Sequence, residues 1–188
     1  MKKYIKLISG GISAAALSAL LCACGNGGGL FAEPTPTPMP YADATAVLSL
    51  EDAKSAIANE YELELSGGSA VTEGNISTAS YYSVPKGSGD PIIVKVINRT
   101  ESISADDIWS DYENARLSRS SSELIDGIGY DAYIAYPSIH VYDRGCEIVI
   151  TASSGSGDKQ RTMLESLAKT ASANLENIMP EEEEAAQQ

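Results

Sequence analysis

The run Ala132-Tyr133-Ile134-Ala135-Tyr136-Pro137-Ser138-Ile139-His140-Val141-Tyr142-Asp143-Arg144-Gly145-Cys146-Glu147-Ile148-Val149-Ile150-Thr151 decides the fold class. Two short β-prone segments, residues 132–136 and 139–142, flank Pro137, and Asp143-Arg144-Gly145 has turn chemistry. Beyond that turn the chain alternates, so Cys146, Ile148 and Ile150 share one face. The spacing predicts a hairpin. Upstream, Tyr61, Leu63 and Leu65 alternate with Glu62 and Glu64, Ser77 to Val84 is β-prone, and Ile92 to Ile97 is apolar and β-branched. Each is bounded by Gly, Ser or Pro, and no helix separates neighbouring strands. Strands in such runs pair antiparallel. The expected fold is a single α+β domain, mainly an antiparallel sheet with about three helices packed on one face.

Three stretches carry helix signals. Ser49-Leu50-Glu51-Asp52 is a capping-box-like start, with Ala53, Ile57 and Ala58 along one face of a helix to about Asn59. Ser104 caps a second helix whose first turn holds Asp106 and Asp107, where the helix dipole favours negative charge. Ile103 is placed to staple onto Ile108, and Ile108, Trp109, Tyr112 and Ala115 form the buried stripe. The third runs from about Lys159 to Ile178, with Leu164, Leu167, Ala168, Ala171 and Leu175 at helical spacing and Pro180 as its stop.

The first residues have another character. Lys2, Lys3 and Lys6 precede a short apolar run, Ile12 to Leu21, that ends in Leu21-Cys22-Ala23-Cys24. An apolar run of about ten residues is half the roughly 20 needed for a membrane-spanning helix, which fits a cleaved export signal. The segment resembles the signal peptide and lipobox of bacterial lipoproteins, with Cys22 standing where that family has a small residue. The resemblance implies acylation of the Cys24 sulfur, cleavage before Cys24, and a cell-membrane, extracytoplasmic location through a lipid anchor. It divides the chain into a signal peptide (1–23), a Gly-rich and Pro-Thr tether (24–46), an α+β domain (47–179) and an acidic tail (180–188). The tether contains Pro34-Thr35-Pro36-Thr37-Pro38-Met39-Pro40, a polyproline-type spacer of about 20 Å.

Removing the three leader lysines takes the formal net charge from −13 to −16. So acidic a chain makes a poor ligand for nucleic acid, which needs a basic surface. Of the three cysteines, only Cys146 would then be a free thiol, and its strand position predicts burial.

The catalytic search is largely negative. His140 is the only histidine, so a zinc site lacks ligands, and no cofactor or metal is expected. Asp106, Asp107, Asp111 and Glu113 cluster without the glycine-centred loop that wraps calcium, and read as a solvated helix face. Gly127-Ile128-Gly129-Tyr130-Asp131-Ala132 matches a dinucleotide fingerprint in letters, but a strand comes after it. Ser83-Val84-Pro85-Lys86 and Ser156-Gly157-Asp158-Lys159 fit the Ser-x-x-Lys spacing, yet Pro85 and Gly157 interrupt the helix that would join hydroxyl to amine. Tyrosine is the positive signal: ten in the chain, against one Phe and one Trp. Tyr133, His140 and Tyr142 are expected to share the solvent face of the sheet as a binding patch. In order of elements, the stretch from Ile125-Asp126-Gly127-Ile128-Gly129-Tyr130 to the last helix resembles small bacterial lipoprotein domains, which implies a compact α+β fold and no particular activity. The expected role is a noncatalytic binding or accessory module for an envelope protein or glycan. The alternative is a small cell-wall hydrolase with Ser83 as nucleophile and Lys86 as base.

Overall fold

A computed structural model describes residues 40–58, 64–84, 92–153 and 156–180. Its framework is one seven-stranded antiparallel sheet in the order β1-β2-β3-β7-β6-β5-β4. β1 is Glu64–Glu73, β2 Ile76–Val84, β3 Ile92–Ile97, β4 Glu123–Leu124, β5 Asp131–Ala135, β6 Ser138–Asp143 and β7 Cys146–Ala152. The helices are α1 (Ala44–Val47), α2 (Leu50–Ile57), α3 (Ala105–Ser118) and α4 (Asp158–Ile178). The α+β, antiparallel, single-domain reading of the sequence holds for these residues.

Two hairpin turns fix the register of the central strands. β5 and β6 join through Tyr136 and Pro137, with Ala135 opposite Ser138. β6 and β7 join through Arg144 and Gly145, with Asp143 opposite Cys146. Arg144 and Gly145 have φ of 49° and 73°, the two successive positive values of a tight turn whose twist matches that of the strands. Glycine takes such values freely, whereas an arginine there is strained by its Cβ. Because side chains alternate, the register puts Ile139, Val141, Cys146, Ile148 and Ile150 on one face and Tyr133, His140, Tyr142 and Glu147 on the other.

The first face carries the main core. Met163, Leu164, Leu167, Ala168, Ala171 and Leu175 of α4 pack onto it, joined by Val47 from α1 and by Ala53 and Ile57 from α2. Cys146 is fully buried, as expected, and burial pushes its thiol above the ordinary value. The stretch read from sequence as tether up to residue 46 contributes to this core: Ala42 and Ala44 are fully buried. Ala42 exchanges hydrogen bonds with the Asn98 side chain, 2.8 Å from its N–H to Oδ1 and 3.1 Å from Nδ2 to its carbonyl. Ala44 N–H donates to Ser77 Oγ at 2.9 Å. The signal was there in Asp43, which N-caps α1.

α3 lies on the opposite face, which the one-sided helix layer expected from sequence did not include. Ser104 Oγ accepts from Asp107 N–H at 3.1 Å, and Asp107 Oδ2 accepts from Ser104 N–H at 2.8 Å, closing the expected capping box. The Ser104 hydroxyl also holds the Asp107 carboxyl below its usual range. Beside the buried Ile108, the α3 rings Tyr112 and Trp109 meet aromatic rings on β5 and β6.

Ile148→Ala is expected to lower the unfolding free energy by about 2–5 kcal/mol, as emptying a fully buried aliphatic site does. Ser104→Ala should cost about 1 kcal/mol. Urea denaturation followed by circular dichroism separates the two.

Candidate functional site

The three residues singled out from sequence do come together on one face, but not in solvent. Tyr133 is fully buried, His140 is 6% exposed and Tyr142 is half-buried. Tyr133 and His140 are cross-strand partners whose rings stack at 4.6 Å with planes 5° apart. α3 and the residue after it cover them. Arg119, the C-cap of α3, brings Nη1 to 2.9 Å from His140 Nε2, and His140 Nδ1 lies 2.8 Å from Glu147 Oε1. A guanidinium can only donate, so Nε2 is the acceptor and Nδ1 carries the proton given to Glu147. The order Arg119, His140, Glu147 therefore ties the end of α3 to β6 and β7. The expected solvent patch is corrected to a polar chain that is buried at His140 and Glu147 and reaches the surface at Arg119, and desolvation pushes the Tyr133 hydroxyl above its ordinary value.

What remains open is the rim of this aromatic layer. Trp109 contacts Tyr112 at 5.4 Å in a stacked pair and meets Tyr142 at 4.9 Å edge-on. Tyr130, 76% exposed, completes the layer at 5.6 Å from Trp109 and 6.1 Å from Tyr142, nearly perpendicular to both. Edge-to-face contacts of this kind hold ring orientations. Two polar anchors add to them: Tyr112 Oη donates to Asp131 Oδ1 at 2.6 Å, and Tyr142 Oη to the Ala105 carbonyl at 3.0 Å.

Tyr130 is aimed by its backbone. Its N–H donates to the Tyr142 carbonyl at 3.0 Å, and Gly129 before it has φ of 59°. A Cβ on Gly129 would stand 2.6 Å from Val141 Cγ1, so only glycine lets the loop lie this close to β6. Gly129 thus presents Tyr130 at the start of β5.

Two grooves open beside that ring. One, of 440 Å³, is walled by Trp109, Tyr130 and Tyr142, with Asp106, Asp143 and Arg144 at its edge. The other, of 570 Å³, lies towards α4, where Lys169, Ser172 and Glu176 face the Gly127–Gly129 loop. They share Tyr130, Asp143 and Arg144. Both volumes are of the size that holds small ligands. Asp143 Oδ2 accepts from Ser172 Oγ at 2.7 Å, and Arg144 Nη2 is 3.8 Å from Glu176 Oε1. The two charged groups on the shared wall are therefore held by α4. Of the predicted patch, only Tyr142 borders the opening. Trp109 and Tyr130 were legible as aromatics but not as groove walls, because the loop that carries Tyr130 leaves no periodic signal.

The hydrolase pair has no described geometry: Lys86 and the Ser83 side chain lie outside the described residues, as does Cys24. In the second Ser-x-x-Lys match, Gly157 has φ of 59° and is the N-cap of α4, so Ser156 precedes the helix and Lys159 lies within it. Among the described residues no group of three or more His, Cys, Asp or Glu is placed to hold a metal ion, and no helix is long and apolar enough to cross a membrane. Comparison with protein-family models, with curated proteins and with solved structures finds no match.

Burial pushes the hydroxyls of Tyr112, Tyr133 and Tyr142 above the ordinary tyrosine value, with the bond to Asp131 adding to the effect at Tyr112. The unfolded chain ionises them near pH 10, so it releases protons that the folded chain retains. Stability is then fully present below about pH 10 and falls as the pH rises beyond it. Tyr112→Phe should lessen that fall by about one proton equivalent, read from urea midpoints between pH 8 and 11.

Proposed function

We propose that this protein is a lipid-anchored lipoprotein of the extracytoplasmic face, and that its domain is a noncatalytic binding or accessory module for a component of the cell envelope. The observation that carries the binding role is the open aromatic groove at one end of the sheet. Its rings are held by mutual edge-to-face packing and by one hydrogen bond from Tyr142 to the backbone, so a ligand would meet a wall already in place. Preorganisation of that kind reduces the ordering cost of binding. Tyr130, the ring most open to solvent, is the contact expected to matter most.

The anchoring half of the proposal rests on the Leu21-Cys22-Ala23-Cys24 motif and the Pro-Thr spacer behind it. A domain on such a spacer is displayed rather than inserted, in keeping with a binding role.

Each half has its own test. Cys24→Ser should abolish incorporation of labelled palmitate and move the protein from the detergent phase to the aqueous phase on phase partition. Unchanged partition would overturn the anchoring. In the unacylated Cys24→Ser background, where no anchor can hold the protein to the membrane, Tyr130→Ala should leave thermal stability within about 0.5 kcal/mol, as surface changes do, while reducing co-sedimentation with isolated envelopes at least tenfold. Equal co-sedimentation of the two proteins would overturn the binding site.

A further inference from the structure

We infer that the groove takes a neutral pyranose oligosaccharide, a ligand class set by the charges and rings that line it. The inference rests on the reading of the groove as a binding site and names what it binds. Its electrostatics eliminate the simplest alternatives. A cationic ligand would find Asp106 and Asp143 but would also meet the Arg144 guanidinium on the same wall. An anionic ligand would find Arg144 and, across the shared wall, Lys169, yet would have to approach Asp143 and Glu176. Each therefore brings like charges together in a partly desolvated cleft, which is destabilising. On the wall itself Glu176 lies 3.8 Å from Arg144, and Ser172 donates a hydrogen bond to Asp143.

The polar groups point the same way. Carboxylates only accept hydrogen bonds and a guanidinium only donates them, so a ligand meeting both must offer donors and acceptors side by side. Hydroxyls do, and a pyranose ring carries several. The same ring has an apolar C–H face, for which the exposed Tyr130 ring supplies a stacking surface, with Trp109 standing nearly perpendicular to it as a side wall. The two grooves, of 440 and 570 Å³ and meeting at Tyr130, leave space for more than one sugar unit. The unit stacked on the Trp109 side would place its neighbour towards Ser172 and Lys169.

The chain reports on its own groove, because Trp109 is its only tryptophan. Four tetrasaccharides titrated into the intact protein test the class: N-acetylglucosamine tetramer and cellotetraose, both neutral, with the cationic glucosamine tetramer and the anionic tetragalacturonate. At least one neutral tetramer is expected to shift Trp109 emission and to bind at least tenfold tighter than either charged one. Tyr130→Ala should weaken that binding at least tenfold. Equal or tighter binding of a charged tetramer would overturn the ligand class and leave the binding role standing. No response to any of the four, with envelope co-sedimentation still dependent on Tyr130, would overturn the saccharide in favour of a protein partner. Co-sedimentation independent of Tyr130 would remove the site itself.

Discussion

Strands β5, β6 and β7 are covered on both faces, and most of the architecture answers to that constraint. With α4 on one side and α3 on the other, each alternate residue of these strands has a layer to pack into. The α4 side is filled by aliphatic residues, whose burial contributes about 1.5–3 kcal/mol per side chain. The α3 side is filled by rings and by one polar chain, from Arg119 through His140 to Glu147. Removing Arg119 would strand a buried acceptor on His140, so the chain specifies where α3 ends as well as stabilising it.

The groove is a by-product of the same arrangement. α3 begins with its cap beside the β6–β7 turn, and the Gly145 turn approaches it so closely that an added Cβ would stand 3.0 Å from Ala105 Cβ. The aromatic layer beneath α3 is therefore cut off at the sheet's end, and its outermost rings are left without a lid. Tyr130 projects there because Gly129 lets the preceding loop press against β6. The strained Arg144 sits at the tip of the turn between α3 and α4. A φ of 49° at a residue other than glycine costs on the order of 1–2 kcal/mol, and an asparagine or glycine would relieve it. That an arginine stands there is consistent with a use for its side chain.

Much of the fold was legible in local patterns. β-prone composition placed β3, β5 and β6, and period-two alternation placed β7, each to within a residue, while helical spacing placed the start of α4 at Lys159, one residue after its actual start at Asp158. The caps at Ser49 and Ser104 were legible because capping is a short-range interaction between residues three apart. α3's side of the sheet was not legible, since a single apolar stripe looks the same whichever face receives it. The burial of His140 was missed for a related reason. A strand with a polar residue between Ile139 and Val141 reads as half-exposed, and nothing local reveals that Arg119 and Glu147 supply partners. The grouping of Tyr133, His140 and Tyr142 on one face was right because strand geometry alone dictates it, whereas their cover depends on tertiary packing.

The bond between Ala42 and Asn98 has a consequence for placement. Asn98 comes directly after the last residue of β3 and lies against Cys146, the first residue of β7, so the chain enters the domain at the end of the sheet that also carries the β6–β7 turn. Met179, after the last residue of α4, reaches the same Cys146. The point where the chain joins the sheet and the aromatic groove are therefore neighbours, both beside the β6–β7 turn.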